Sequence, residues 1–309
     1  MSNIYDVIII GAGPASLNAA LYASRQDLNV LIIEKSAPGG KLLSTDKVEN
    51  WIGTKLTTGF ELATDFYKHA LAYGANYMSG EVVNIRSNGE FDKEVMLADG
   101  NIIKGKSIII GSGMQNRKPS TIKNFDEYFN KGISYCGICD GPIFRNQPIV
   151  VMGGGNSAVE EGTFISNVAS KLYVVTIDSE LKAEKKLIEE LKSRSNVEII
   201  YNATIQEVSG NGKLEKISYL DSTTNKIIEL DANALFIYIG FIPKADFISD
   251  DMMIKTKSGF IITDDSMETK IPNIFAVGDI RDKKIRQIVT AASDGAIAAK
   301  VISDRISSK

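Results

Sequence analysis

Asp6-Val7-Ile8-Ile9-Ile10-Gly11-Ala12-Gly13-Pro14-Ala15-Ser16 decides the fold of this chain. Val7 to Ile10 are four β-branched residues in a row, the pattern of a parallel strand covered on both faces. The strand runs straight into a Gly-x-Gly turn. Leu17 to Ser24 follow with helical character, and Val30-Leu31-Ile32-Ile33 form a second strand that ends at Glu34. Glycines in such a turn let the backbone approach a phosphate closely. The helix behind it offers unpaired N–H groups and the positive end of its dipole. A carboxylate about 20 residues further on suits a ribose, and Glu34 lies 21 residues after Gly13.

The same reading recurs. Pro148 opens the strand Ile149-Val150-Val151-Met152, and Gly153-Gly154-Gly155-Asn156-Ser157-Ala158 makes the turn. Val159 to Val168 read as a helix, and Leu172 to Ile177 as the next strand, ending at Asp178. Gly153 and Gly155 stand a constant 142 residues after Gly11 and Gly13. Two copies in strand–turn–helix context point to two dinucleotide sites, where one copy alone would equally suit a tight turn between packed elements. In the second copy the position matching Glu34 is Thr176. Asp178, two residues later, fits either a ribose contact or the cap of a helix beginning near Ser179.

Each copy is followed by strand candidates punctuated by turns. Glu81 to Ile85, Glu94 to Leu97 and Ser107 to Ile110 are broken at Asn88-Gly89 and Asp99-Gly100, which favours hairpins. After the second copy come Glu198 to Tyr201, Lys216 to Leu220 and Ile227 to Leu230, with Asn211-Gly212 as a turn, and Ala234 to Ile239 as a closing strand. The expected fold is α/β: two Rossmann-like dinucleotide-binding domains, each with a small antiparallel β insertion. Asn273 to Val277 read as a strand stopping at Gly278-Asp279, and about Ile288 to Ile306 as one long helix. This last stretch is too small to stand alone and is expected to pack back onto the first unit.

Composition narrows the function. The chain has 309 residues, 44% hydrophobic and 24% charged, with a net charge of −3. That length suits two cores, and the charge lacks the basic field of a nucleic-acid binder. Met1-Ser2-Asn3-Ile4-Tyr5-Asp6 has no basic start followed by a long apolar run, and no apolar run is long enough to span a bilayer. A cytoplasmic protein is the expectation.

There are two cysteines and one histidine. The cysteines form Cys136-Gly137-Ile138-Cys139, a spacing that closes to a small ring or opens to a dithiol, so that one thiolate attacks a partner disulfide and the second sulfur resolves it. A zinc site needs about four ligands, and the chain offers no second cysteine pair and one distant histidine. Gly141-Pro142 follows at once. The residue before a proline is pushed out of the helical region, so the pair is expected in a brief accessible turn. Asp140 beside it is a candidate general acid, or else a solvated turn residue. His69 falls on an amphipathic helix and reads as a surface or helix-packing residue.

The ordered set of motifs resembles the bacterial low-molecular-weight thioredoxin reductases, FAD-dependent pyridine nucleotide-disulfide oxidoreductases, over essentially the whole chain. Gly11-Ala12-Gly13-Pro14-Ala15 resembles their FAD pyrophosphate loop. Gly39-Gly40-Lys41-Leu42 with Val48-Glu49-Asn50-Trp51 resembles a further flavin and adenosine contact region, with Lys41 where glutamine is usual. Cys136 to Gly141 resemble the redox turn, Gly153 to Glu161 the nicotinamide-cofactor loop, and Gly278-Asp279 with Arg286-Gln287 the C-terminal flavin contact. The resemblance implies FAD contacts at Gly11, Gly13, Pro14, Ala15, Glu34, Lys35, Gly40, Lys41, Leu42, Asn50, Gly111, Gly278, Asp279, Arg286, Gln287 and Ile288. It implies NAD(P) contacts at Gly153, Gly155, Asn156, Ser157, Ala158, Asp178 and Lys182, and catalytic roles for Cys136, Cys139 and Asp140.

The same resemblance implies an FAD domain at 1–113 and 244–309 and a pyridine-nucleotide domain at 114–243 that carries the cysteines. It also implies a domain that rotates between two positions on flexible points near Gly111-Ser112-Gly113 and Gly240 to Pro243, a homodimer, and thioredoxin as the partner. Cys139 would face the flavin and Cys136 would attack thioredoxin. One departure concerns the donor. NADPH-using members carry a His-Arg-Arg run and a further arginine four residues on, where this chain has Thr176-Ile177-Asp178 and Lys182. Arginines fork onto a 2′-phosphate; Asp178 repels one, so weakened NADPH preference and a shift to NADH are expected. The rival readings are the same chemistry with another donor or acceptor (NADH alone, ferredoxin, or a peroxidase-linked partner) and a non-catalytic FAD redox sensor.

Overall fold

The computed structural model describes residues 4–45, 48–252 and 254–308; Met1 to Asn3, where the reading of the N-terminus begins, lie outside them. The chain divides into two compact units, one of residues 1–115 and 242–309, the other of 116–241.

In the first unit, β1 (Tyr5–Ile10), β2 (Val30–Glu34) and β3 (Asn76–Ser79) run parallel, joined by helices α1 (Pro14–Ser24) and α2 (Gly59–Ala72). A hairpin of β4 (Val82–Gly89) and β5 (Asp92–Leu97) leads into β6 (Ile102–Ile110). β6 does two jobs. Its first half pairs antiparallel with β5, and its second half continues the parallel sheet beside β1, with Ile8 opposite Ile108. Alternation along β1 then sorts the layers. Val7 and Ile9 face a core with Leu17 and Ala20 of α1, while Ile8 and Ile10 face one with Ile85 and Val95 of the hairpin. One hairpin residue escaped the sequence reading: Lys93 is wholly buried, its ammonium donating to Ser87 Oγ and to the carbonyls of Gly89 and Glu90. Burial lowers its pKa.

The chain leaves this unit within β7 (Met114–Asn116). The second unit begins with the short helix α3 (Phe125–Tyr128), β8 (Ile133–Ser134) and the single helical turn α4 (Gly137–Asp140). β9 (Pro148–Met152), α5 (Asn156–Ser166), β10 (Lys171–Val175), α6 (Lys185–Lys192) and β11 (Val197–Ile200) then alternate. β11, β10, β9, β15 (Ala234–Ile237) and β8 form one sheet. Between β11 and β15 stands an antiparallel meander of β12 (Ala203–Ser209), β13 (Lys216–Asp221) and β14 (Lys226–Asp231). As in β1, the strand β9 sorts two layers: Ile149 and Val151 face α5, and Val150 and Met152 face the meander.

The sequence reading placed Glu198 to Tyr201 in the antiparallel insertion, and the structure corrects it. That strand runs parallel to β10, with Leu172 opposite Val197. Asn202 follows in the left-handed conformation, φ 52°, and turns the chain from one sheet to the other. The true first strand of the insertion, β12, was missed. A bulge between Ile205 and Glu207 breaks its register, and with it the period-two pattern that advertises a strand. Both phosphate-loop helices also start three residues before their apolar periodicity does, because Gly13 and Gly155 serve as their N-caps.

The chain re-enters the first unit within β16 (Phe241–Pro243). β17 (Ile274–Ala276) pairs with the second half of β6. α7 (Ile288–Ser307) lies across α1, with Ala298, Ala299 and Ile302 in the same core as Ala15, Ala19 and Ala23. Among the described residues no helix is long and apolar enough to cross a membrane.

The crossing of α1 and α7 turns on Gly295. A Cβ there would stand 2.1 Å from the carbonyl oxygen of Ala15 and 2.9 Å from the nitrogen of Ala19. Alanine normally improves a helix interior over glycine by about 1 kcal/mol. Here the obstacle is backbone, which cannot swing aside, and overpacking of that kind costs about 1–3 kcal/mol. Gly295→Ala is therefore expected to lower the urea unfolding midpoint of the first unit, and a raised midpoint would refute the close crossing.

Candidate active site

In the first unit the glycine turn is held from both sides. Gly11 has φ +96°, and a Cβ there would lie 2.5 Å from the carbonyl oxygen of Gly111 at the end of β6. Gly13 is the extended N-cap of α1, and the space where its Cβ would stand is open for 4 Å. Pro14 at the helix start has no N–H to orphan, and Ala15 follows it in the first turn. Glu34, at the end of β2, receives the Ala12 N–H on Oε2 at 2.9 Å and the Ser36 N–H on Oε1 at 2.9 Å. Two of its roughly four acceptor positions thus fix the turn, and two stay available to ribose hydroxyls. Lys35 points elsewhere, to Glu81 at 3.1 Å.

The remaining first-unit residues close around this turn. Gly39 donates to the Ala12 carbonyl at 2.7 Å, and a Cβ on Gly40 would stand 3.3 Å from Gly13 Cα. Lys41 reaches Asp279 at 3.3 Å, Leu42 is buried, and Asn50 donates to Gln287 Oε1 at 3.0 Å. The Arg286 guanidinium lies over the Phe260 ring, 4.5 Å from its centroid, and its NH2 donates to the Arg281 carbonyl. Gln287 caps α7 and Ile288 begins it. A buried residue outside the predicted set organises this rim. Asp294 receives the Gly278 N–H at 2.9 Å, Arg281 at 2.9 Å and Lys283 at 2.7 Å. Nothing in the local sequence marks it, since an aspartate on an amphipathic helix ordinarily faces water. The open cradle at Gly13, the helix N-terminus and the spare acceptors of Glu34 fit the diphosphate and ribose of a dinucleotide such as FAD.

The second unit repeats the arrangement. Gly153 has φ +136°, and a Cβ there would stand 2.2 Å from the Tyr238 carbonyl oxygen just past β15. Gly155 caps α5, and around it too the Cβ space is open. Asn156 Oδ1 accepts the Glu184 N–H at 2.8 Å, Ser157 is half-buried and Ala158 is buried. Asp178 caps no helix: the chain there is irregular, and α6 begins only at Lys185, with Glu184 as its N-cap. Gly-x-Gly geometry explains the difference, because Lys182 N–H turns back to the Gly154 carbonyl at 2.7 Å and keeps this segment extended against the loop. The Asp178 carboxylate instead meets Lys182 Nζ at 2.6 Å.

Cys136 and Cys139 form a disulfide in this unit. Cys136 is the half-buried N-cap of α4, and Cys139 is exposed. Gly141 is helical, φ −52° and ψ −45°, contrary to the expectation for a residue before proline. Without a Cβ it avoids much of the clash that expectation rests on, so the pair sits in a true helical turn continued by Pro142. Ser134 Oγ brackets the turn, receiving the Cys136 N–H at 3.0 Å and donating to Asp140 Oδ2 at 2.5 Å. From the other side Gly137 N–H donates to the Tyr238 hydroxyl at 2.9 Å, which donates to Glu161 Oε2 at 3.2 Å. Burial and the Glu161 carboxylate push the Tyr238 phenol far above its ordinary range, so it remains a donor. Ser134 and Tyr238 lie outside every motif read from the sequence, and Glu161, the last residue of the expected nicotinamide-cofactor loop, turns instead to the phenol that holds the redox turn. His69 is an exposed residue of α2 whose ring rests 5.5 Å from that of Tyr73.

Comparison with known proteins gives the family. The chain is 49% identical over 305 residues to the thioredoxin reductase of Mycoplasmopsis pulmonis, covering 99% of this chain and 98% of that one. It is 39% identical over 300 residues to the thioredoxin reductase of Bacillus subtilis, covering 97% and 94%. The crystal structure of Lactococcus lactis thioredoxin reductase in its FR conformation superposes with a TM-score of 0.94 at 36% identity, covering 99% and 100%. The family model for pyridine nucleotide-disulphide oxidoreductases matches residues 5–295, and the chain belongs to that family, in its thioredoxin reductase branch.

Proposed function

We propose that this protein is a thioredoxin-disulfide reductase whose Cys136–Cys139 pair passes two electrons from NAD(P)H, by way of FAD, to oxidised thioredoxin. The observation that carries the reading is the disulfide itself, placed in an accessible turn and bracketed by Ser134 and Asp140. The first unit, read as 1–113 and 244–309, is assigned to FAD through Gly11 to Ala15, Glu34, Gly40 to Leu42, Asn50, Gly278-Asp279 and Arg286 to Ile288. The second, 114–243, is assigned to the pyridine nucleotide through Gly153 to Ala158. Bound FAD supplies the two-electron link between a nicotinamide and a disulfide.

The chain's own residues do the rest. Once reduced, Cys136 as thiolate attacks the partner disulfide, and one thioredoxin sulfur leaves as a thiol. Cys139 then attacks Cys136 Sγ, which re-forms the ring and releases the second thioredoxin sulfur. Two electrons and two protons cross in all. Asp140, its Oδ2 held in place by Ser134, holds the proton given up by Cys136 and passes it to the first thioredoxin sulfur as that leaves. It then takes the proton of Cys139 as Cys139 Sγ becomes the nucleophile and passes it to the second. Cys139 is assigned to the flavin side and Cys136 to thioredoxin. The exposed apolar side chains of Ile52, Leu56 and Phe60 suit a homodimer contact. Both cysteines serve exchange rather than a scaffold, which suits a reducing compartment, and the cytoplasm is the proposed location.

The finer donor reading follows from Asp178. A carboxylate beside the adenosine ribose accepts from a 2′-hydroxyl and repels a 2′-phosphate. Lys182 is paired with it and presents no forked donor. We expect kcat/KM for NADH to exceed that for NADPH by about 10-fold or more, the worth of one charged hydrogen bond, and Asp178→Arg to narrow or invert that ratio. A wild-type ratio strongly favouring NADPH would defeat this donor assignment.

The electron path is tested separately. Cys136→Ser should still let nicotinamide bleach the flavin while thioredoxin reduction is lost. Asp140→Asn should slow thioredoxin turnover on the order of 10²-fold, as removal of a general acid–base group does. Full thioredoxin turnover by Cys136→Ser would place the exchange elsewhere.

A further inference from the structure

Tyr238 touches both working loops of the second unit. Its carbonyl oxygen lies where a Cβ of Gly153 would be, 2.2 Å away, and so shapes the dinucleotide turn. Its phenol reaches the redox turn, accepting the Gly137 N–H at 2.9 Å and donating to Glu161 Oε2 at 3.2 Å. The packing is tight: a Cβ on Gly137 would stand 2.8 Å from Glu161 Oε2, 2.8 Å from Ile165 Cδ1 and 2.9 Å from the Tyr238 hydroxyl.

The bonds around the two cysteines are unequal. Cys136 is fixed on every backbone side. Its N–H goes to Ser134 Oγ, its carbonyl receives the Asp140 N–H at 3.1 Å, and the amide that follows it goes to Tyr238. Among the described residues the Cys139 N–H has only Cys136 Sγ as partner, at 3.2 Å, a weak sulfur acceptor within the ring itself, so no such bond ties the Cys139 amide to the surrounding frame. Cys139 is exposed and Cys136 is not.

We propose that Tyr238, oriented by Glu161, is a positioning residue of the disulfide exchange: it pins the Cys136 side of the turn so that the ring opens by movement of Cys139 and closes again onto a sulfur that has stayed in place. Holding one sulfur ready lowers the entropy lost on ring closure, and so favours the disulfide over the dithiol. The carboxylate's part is to accept the phenol's proton in a hydrogen bond. The inference rests on the reading of this pair as the redox centre.

The test is an exchange equilibrium on the full-length FAD-bound protein at about pH 7. The protein is equilibrated with graded ratios of reduced and oxidised dithiothreitol. In that reaction the protein disulfide gains two electrons and two protons as the dithiol closes to its cyclic disulfide. Thiols are trapped by acid and alkylation and counted by mass spectrometry, and flavin absorbance is recorded alongside. Tyr238→Phe removes the pin with little change in volume and is expected to shift the equilibrium toward the dithiol by about three- to tenfold, the worth of one such hydrogen bond. Glu161→Leu, which strips the phenol of its acceptor, should shift it in the same direction. Glu161→Gln keeps an acceptor and should stay within about twofold of wild type. An unshifted Tyr238→Phe overturns the proposal, and Glu161→Leu decides in the same way if Tyr238→Phe fails to fold. A Glu161→Gln shift as large as that of Tyr238→Phe also overturns it, by assigning the effect to charge. A wild-type pair that stays oxidised at every ratio would instead remove the redox reading beneath it.

Discussion

Just past β1 in the first unit and β9 in the second, the carbonyl oxygen of the residue that follows a neighbouring strand occupies the space a side chain would need. Gly111 does this to Gly11 and Tyr238 does it to Gly153, at 2.5 Å and 2.2 Å from the missing Cβ atoms. Both glycines also have positive φ, which other residues adopt only at a cost. Because two backbones meet there, the helix that follows starts at once, with Gly13 or Gly155 as its cap and no side chain over its first N–H groups. The open helix start that is proposed to cradle a diphosphate is thus a consequence of strand spacing. Glu34 adds to it in the first unit by tying the end of β2 to the Ala12 amide.

This explains why so much was legible in the sequence. Val7 to Ile10 and Ile149 to Met152 are buried on both faces, so they show as unbroken apolar runs. The glycines after them are forced, so they show as a spaced pair. What the pattern missed has equally physical causes. β12 carries a bulge that scrambles its alternation, and β11 lies in a different sheet from the strand that follows it because Asn202 turns the chain. Gly141 takes a helical conformation before a proline because it has no Cβ to clash.

Side chains that work through burial were the least legible. Asp294 and Lys93 are charged residues in positions where the sequence gives no sign of enclosure, and each is satisfied by partners far away or by backbone carbonyls. A buried charge is tolerable only when so compensated, and the compensation is visible only in three dimensions. Ser134 and Tyr238 belong to the same class. Their value lies in which amide they receive, Cys136 or Gly137, and Tyr238 stands 101 residues from its partner.

The proposed donor preference rests on a carboxylate, Asp178, whose ion pair with Lys182 is a weak contact. Lys182 is largely exposed and Asp178 about one-third so, and an ion pair of that kind contributes about 0–1 kcal/mol. It cannot be what holds the segment in place. That task falls to backbone bonds, Lys182 N–H to the Gly154 carbonyl and Asn202 N–H to the Asp178 carbonyl. The carboxylate is therefore presented by a frame that does not depend on its charge. Since the frame is built of backbone bonds, exchange of the two side chains would leave the loop built as it is, so under the proposed reading donor choice and fold vary independently at this position.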